Sequence, residues 1–243
     1  MLVIKIGGNE IDDPAFVARL VAAVAQIQPT PVLVHGGGKE VGALQALLGG
    51  TPQFVDGRRV TDATARKAAA MVLCGDVSTR LVAALNLSGV DAIGLSGVDR
   101  GLVRVEPQDA ALGFVGRPVA VRAEVLHALL ADGTVPVLAP ISLGPDGAYN
   151  VNADEIAGAV AAAIGAEEVV FVTNVPGVLV AGARAAQISR AEVAALIADG
   201  TISGGMVPKV QSALAALDAG VAAARIVDLA GLGVVGMGTR IVG

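Results

Sequence analysis

The chain has 243 residues, of which 54% are hydrophobic and only 2% aromatic, and its formal net charge is −5. That length holds one α/β domain or two closely packed lobes around a sizeable aliphatic core. The absence of a basic patch or Lys/Arg block argues against nucleic acid as a partner, and Gly, Pro or charges interrupt every apolar run before the ~20 residues a bilayer span needs.

Leu2–Ile6 is a short apolar run ending on Gly7-Gly8 and predicts a strand. Asp12-Asp13-Pro14 offers an N-cap with Pro in the first turn, and the segment FVARLVAAVAQI after it has helical periodicity. Residues 31–35 predict a second strand, ended by Gly36-Gly37-Gly38, and residues 39–48 a helix. Strand, helix, strand, glycine turn and helix in this order indicate a parallel α/β sheet. Residues 53–60 read as extended with a turn at Asp56-Gly57, and Thr61 as the cap of a long Ala-rich helix reaching Leu85. Within that helix the single cysteine, Cys74, reads as a buried thiol with no disulfide partner. A strand follows at 91–95, short hairpins between Gly101 and Ala120, a helix at 123–131 and a strand at 135–140. Next come a helix at 152–164, a strand at 168–173 and a glycine-containing loop at 174–182. Ser189 caps a helix to Asp199; a helix at 207–219, a strand at 224–228 and a tail strand at 237–242 complete the chain. The irregular stretch 140–152 is the expected boundary between an N-terminal lobe, residues 1–146, and a C-terminal lobe, residues 147–243.

Three familiar sites fail on inspection. Lys39 follows three glycines, but Glu40 stands where a Walker phosphate loop needs Ser or Thr. Gly231, Gly233 and Gly236 match a dinucleotide fingerprint, yet only seven residues remain after Gly236 and no helix can follow. His35-Gly36-Gly37-Gly38 resembles an esterase oxyanion turn, but no G-x-S-x-G elbow accompanies it and the other histidine, His127, lies in a predicted helix.

What remains is two glycine turns, each directly after a strand. Backbone amides there can approach an anion closely because no Cβ intervenes, and the C-terminal ends of parallel strands share one edge. Lys5 is a charge inside an apolar strand, costly unless it is paired or faces a site. Lys209 opens a helix after a glycine pair, Asp154 starts an Ala-rich helix, and Arg59 lies in DGRRVTD. Two cations, an acid to orient them, anion-binding amides and an arginine are the equipment of phosphoryl transfer, where catalysis is mainly positioning and charge neutralisation. With no dense His/Cys/Asp cluster, Mg2+ carried in by nucleotide phosphates is the expected metal. The chain starts directly on a strand without a signal-peptide pattern, so a cytoplasmic location is expected.

The segments KIGGN, VLVHGGGKEV, GRRVTD, YNVNADEIAGAVAAAIGAEEVVFVTNVPGVL, ISGGMVPKV and MGTRIVG resemble the amino-acid-kinase family and, more specifically, its N-acetylglutamate kinase branch, in the same order over nearly the whole chain. The resemblance implies an α/β fold, a three-layer α/β/α sandwich with a central mainly parallel sheet. It implies an acyl-amino-acid lobe followed by a nucleotide lobe, and transfer of the ATP γ-phosphoryl group to the γ-carboxylate of N-acetyl-L-glutamate, the second step of arginine biosynthesis. Carried over by motif, Lys5 and Lys209 would neutralise the moving phosphoryl group and Asp154 would hold both lysines. Amides around Gly8, Gly37 and Gly38 would receive phosphoryl and acceptor oxygens, while Arg59 and Asn150 would bind the α-carboxylate. Thr173, Asn174, Gly177 and Leu179, with Thr201, Ile202 and Ser203, would line the nucleotide site. Asn174 departs from the family pattern, which has an acid there. Carrier-linked α-aminoadipate is the rival substrate, and a non-catalytic amino-acid sensor the rival class; the direct DGRRVTD and the intact Lys5, Asp154 and Lys209 weigh against them. A homodimer insensitive to arginine is expected, because the first strand begins at Leu2 and leaves no residues for the additional N-terminal helix of arginine-inhibited, hexameric members.

Overall fold

The computed structural model describes residues 1–8, 10–55 and 57–243. Chain order is β1 (Leu2–Ile6), α1 (Pro14–Val24), β2 (Val32–His35), α2 (Gly38–Leu47), β3 (Phe54–Val55), β4 (Arg58–Arg59), α3 (Ala63–Ala70), a π-helical stretch (Met71–Val77), α4 (Ser78–Leu87) and β5 (Ala92–Gly97). There follow β6 (Val103–Pro107), β7 (Gly116–Val121), α5 (Ala123–Ala131), β8 (Val135–Gly144), β9 (Gly147–Asn150), α6 (Ala153–Ala163) and β10 (Glu168–Thr173). The last elements are β11 (Leu179–Val180), β12 (Ala183–Arg184), β13 (Gln187–Ser189), α7 (Arg190–Ala198), α8 (Met206–Asp218), β14 (Ala223–Asp228) and β15 (Thr239–Val242).

The main sheet runs β13-β15-β14-β10-β1-β2-β8-β6-β7, with β5 and β9 also paired to β8. Its centre, β14-β10-β1-β2-β8, is parallel throughout. The strands are buried on both faces, as continuous aliphatic runs between two helical layers must be. Alternation sorts the residues: Val3, Val32, Val34, Val169 and Phe171 join the layer of α6 and α8, while Ile4, Ile6, Leu33, Val170 and Val172 join that of α1 and the long helix. The architecture is the expected α/β/α sandwich. Lys5 follows Val3 by two residues and so faces α6, and His35 follows Leu33 and faces the other layer.

Several expectations change in detail. The cap of α3 is Asp62, whose side chain accepts from Ala65 N; the Thr61 hydroxyl instead donates to Arg59 O at 3.0 Å. Cys74 is exposed: Ala65, Ala69 and Val72 form the buried face of the helix, and Cys74 falls on the opposite side. The stretch taken as irregular is the β8–β9 hairpin, and residues 146–147 fall at its turn. Pro140 lies where β8 passes from its parallel partners to antiparallel β9, opposite an irregularity in the pairing with β5, and its carbonyl accepts from Val151 N. Of the turn expected at Asp56-Gly57, Asp56 lies outside the described residues. Gly75 and the charges interrupt the apolar sequence but not the helix: Ala63–Leu87 is continuous, and long and apolar enough by length and composition alone to cross a bilayer. It packs Val72, Leu73, Val77, Leu81 and Leu85 into the core and carries Asp76 and Arg80 mid-way, which makes it a core helix here.

The α6–α8 contact sets the spacing of the site below. Gly158 of α6 lies against Ala216 of α8 so closely that a Cβ at 158 would sit 3.3 Å from Ala216 Cα. Gly158→Leu should therefore destabilise the protein by about 1–3 kcal/mol, as overpacking does, measured as a lower urea midpoint; an unchanged midpoint would show that the helices separate freely.

Candidate active site

The C-terminal ends of β1 and β2 bring the two glycine turns together. Gly36 N donates to Ile6 O at 3.1 Å. A Cβ on Gly8 would lie 2.3 Å from Gly37 N, and one on Gly37 would lie 2.8 Å from Leu73 Cδ2. No side chain fits at either position, so backbone amides form the surface here. Gly38 starts α2, whose N-terminus adds positive potential to the same point.

Two cavities meet at residues 36–38. One, of about 390 Å³, is lined by Lys5, Gly7, Gly8, Asp154, Thr173, Asn174, Lys209 and Ser212 among others. The other, of about 200 Å³, is lined by Val41, Phe54, Arg58, Arg59, Leu73, Gln108, Val115, Asn150 and Val151 among others.

In the first cavity Lys5 Nζ lies 2.7 Å from Asp154 Oδ1, both side chains mostly buried. Asp154 sits in the first turn of α6, where Asn152 caps the helix by accepting from Asp154 N at 2.8 Å. Its second oxygen accepts from the Ser212 hydroxyl at 2.6 Å. Ser212 lies one helical turn beyond Lys209 on α8, and nothing in the sequence singled it out; the signal was its i+3 spacing from Lys209, which places both on one face. Lys209 Nζ donates to Asn174 Oδ1 at 3.4 Å, so its described partner is an amide rather than Asp154. Asp154 thus holds Lys5 directly and α8 through Ser212.

The second cavity is organised by Arg59. Its guanidinium donates to Gly38 O at 2.6 Å and to Gln45 Oε1 at 2.9 Å, and lies over the Phe54 ring. Burial lowers its pKa from the usual arginine value. Asn150 Nδ2 donates to Thr61 Oγ1 at 3.2 Å, tying the end of β9 to the segment behind Arg59. Both residues line the cavity beside an aliphatic wall, a combination suited to a small carboxylate with a short acyl group.

The remaining expected residues divide. Thr173 and Asn174 line the first cavity. Gly177 and Leu179 lie further along the loop after β10, and Thr201, Ile202 and Ser203 on the segment before α8, all off that cavity's wall. Ile202 is buried in the core, so its side chain serves packing.

An α/β/α sandwich with lysines and glycine amides at one sheet edge is the arrangement of a phosphoryl-transfer enzyme. Residues 1–228 match the amino acid kinase family, and the chain belongs to it. It is 66% identical over 244 residues to the acetylglutamate kinase of Roseiflexus sp. (strain RS-1), covering 99% of this chain and 93% of that one. It is 65% identical over 234 residues to the acetylglutamate kinase of Roseiflexus castenholzii (strain DSM 13941 / HLO8), covering 95% and 90%. Among solved structures it is similar to smu.665 from Streptococcus mutans UA159, with a TM-score of 0.82 and 30% identity over 99% of this chain and 98% of the other.

Beneath the second glycine turn, His35 is fully buried with Nδ1 2.9 Å from Gly36 O. Burial lowers its pKa from 6.5 to about 4. Since the folded value is depressed, the unfolded chain takes up this proton first. Its contribution is therefore intact above pH 6.5 and is lost as pH falls toward about 4, by an amount on the order of 3 kcal/mol. Urea midpoints across this range should fall less steeply in His35→Asn than in the parent; parallel curves would refute the assignment.

Proposed function

We propose that this protein transfers the γ-phosphoryl group of ATP to the γ-carboxylate of N-acetyl-L-glutamate, giving N-acetylglutamyl 5-phosphate for arginine biosynthesis. The observation that carries this reading is the shared wall of residues 36–38. It sets a cavity with two lysines beside one with Arg59 and Asn150, so a phosphoryl donor and a carboxylate acceptor meet at the glycine amides. The relatives named acetylglutamate kinase support the choice of acceptor.

In this mechanism Arg59 and Asn150 bind the acceptor α-carboxylate, and the aliphatic wall takes the acetyl group. A γ-carboxylate oxygen attacks the γ-phosphorus while the bond to the β,γ-bridging oxygen breaks and ADP leaves. The acceptor is already ionised, so no proton is removed and no general base is required. Lys5 and Lys209 neutralise charge on the phosphoryl oxygens, and amides at Gly8, Gly37 and Gly38 hold those oxygens in place. Thr173, Asn174, Gly177, Leu179, Thr201, Ile202 and Ser203 receive the nucleotide, Ile202 through its backbone carbonyl, since its N–H is donated to Leu196 O. Mg2+ carried by the nucleotide phosphates would neutralise part of their charge.

Residues 1–146 then serve chiefly the acceptor and 147–243 the nucleotide. The protein works in the cytoplasm as a homodimer, with Met71 and Leu87 exposed on the long helix as part of the contact. Light scattering at the monomer mass would exclude that assembly.

Hydroxylamine trapping should yield a hydroxamate that depends on ATP, Mg2+ and N-acetyl-L-glutamate, with little from glutamate or aspartate; no product above background would refute the function. Lys209→Ala should lower kcat by about 10²–10³ with a smaller effect on KM, because charge builds in the transition state. Arg59→Ala should act mainly on the KM for acetylglutamate. A reversed pattern in steady-state kinetics would overturn these roles.

A further inference from the structure

The β3–β4 hairpin lies outside the main sheet, and its Phe54 and Val55 are largely exposed, so apolar burial contributes little to its position. Polar anchors do that work. Arg59 ties it to α2 through Gly38 O and Gln45. Arg58, the adjacent residue, points the other way, as neighbours on a strand must. Its guanidinium lies 2.6 Å from Glu155 Oε1, with side-chain exposures of 34% and 22%. Glu155 is the residue after Asp154 in the first turn of α6. The charged groups facing it are Arg58, Asp154 and Arg117, and burial raises its pKa above the usual carboxylate value. Arg58 and Gln108 line both the acceptor cavity and the groove beside α6, so the ion pair stands in the partition between the two.

We propose that Arg58 and Glu155 are positioning residues for the acceptor: their ion pair is a strut that fixes the hairpin across the acceptor cavity against the helix that carries Asp154. This rests on the acceptor reading above. The strut holds Arg59 at its working distance from residues 36–38, and it joins the acceptor-binding hairpin to the phosphoryl-transfer side of the site. It also sets the local charge. Glu155 neutralises Arg58, leaving Arg59 as the arginine whose charge is available to the acceptor. Neither strut residue touches the reacting atoms, so the effect belongs in acceptor KM rather than in kcat.

The test is a double-mutant cycle with Arg58→Gln and Glu155→Gln in the full chain. Each single variant should raise the KM for N-acetyl-L-glutamate about two- to fivefold, the range of a partly exposed ion pair with good geometry. ATP KM and kcat should stay within about twofold in both. The double variant should be no worse than the poorer single, and the charge-reversed pair Arg58→Glu with Glu155→Arg should regain part of the affinity. Unchanged acceptor KM in the singles, a loss confined to kcat, or effects that multiply in the double would overturn the strut. Amide hydrogen exchange across β3 and β4 provides a readout independent of activity. Both singles should exchange faster there, and unchanged rates would sink the proposal. If the parent protein phosphorylates no acetylglutamate, the acceptor reading fails, and the exchange data alone decide whether the strut exists.

Discussion

Everything in this site depends on two backbone turns touching where β1 and β2 end. Gly8 and Gly37 approach so closely that a single added methyl would push the strands' ends apart. The contact exposes amides to one point and holds the two cavities on either side of a wall three residues long. The long helix presses on the same turn from below. Leu73 and Val77 of its π-helical stretch sit against Gly37, and Leu73 also lines the cavity that holds Arg59 and Asn150. A π-helical insertion displaces side chains from the regular α-helical face, and such insertions are frequent at functional sites. Here it fits the helix to the turn.

The cations around this wall fall into two kinds. Lys5 is matched by Asp154 and Arg58 by Glu155, so each is neutralised by a carboxylate. Lys209 is held by the Asn174 amide, and Arg59 by the Gln45 amide and the Gly38 carbonyl, all neutral acceptors. Neutral acceptors orient a cation without cancelling its charge. Each cavity therefore has one cation paired with a carboxylate and one held by neutral groups alone. An amide at position 174 fits this division, because an aspartate there would draw on the charge of Lys209. Below the turn, the neutral His35 adds no competing positive charge.

Helix packing converts this local chemistry into a rigid frame. Gly158 and Ala216 let α6 and α8 approach closely, and the Ser212–Asp154 hydrogen bond follows from that approach. Lys5 belongs to the sheet, Asp154 to α6, and Lys209 and Ser212 to α8. The cluster of Lys5, Asp154, Lys209 and Ser212 is thus assembled from three separate elements whose spacing is set by small residues.

Much of this was legible in the chain itself. Apolar runs punctuated by glycine read directly as buried parallel strands, because burial on both faces demands continuous aliphatic sequence. Lys5 announced itself, since a charge in such a run must have a partner, and the glycine turns, Arg59, Asp154 and Lys209 lay in local motifs. What only the tertiary structure decided were the pairings between distant segments. Ser212 is an ordinary helical serine until α8 packs on α6. Arg58 was only the neighbour of Arg59 in DGRRVTD until the fold brought it a partner 97 positions away. Lys209 meets Asn174 and not Asp154 because of where α8 stands relative to β10. Cys74 faces outward because it lies opposite Ala65, Ala69 and Val72, and an Ala-rich sequence does not by itself mark which face of the helix is buried. Short-range patterns carry the preferences of the backbone; the partners of a charged side chain depend on which elements packing brings beside it.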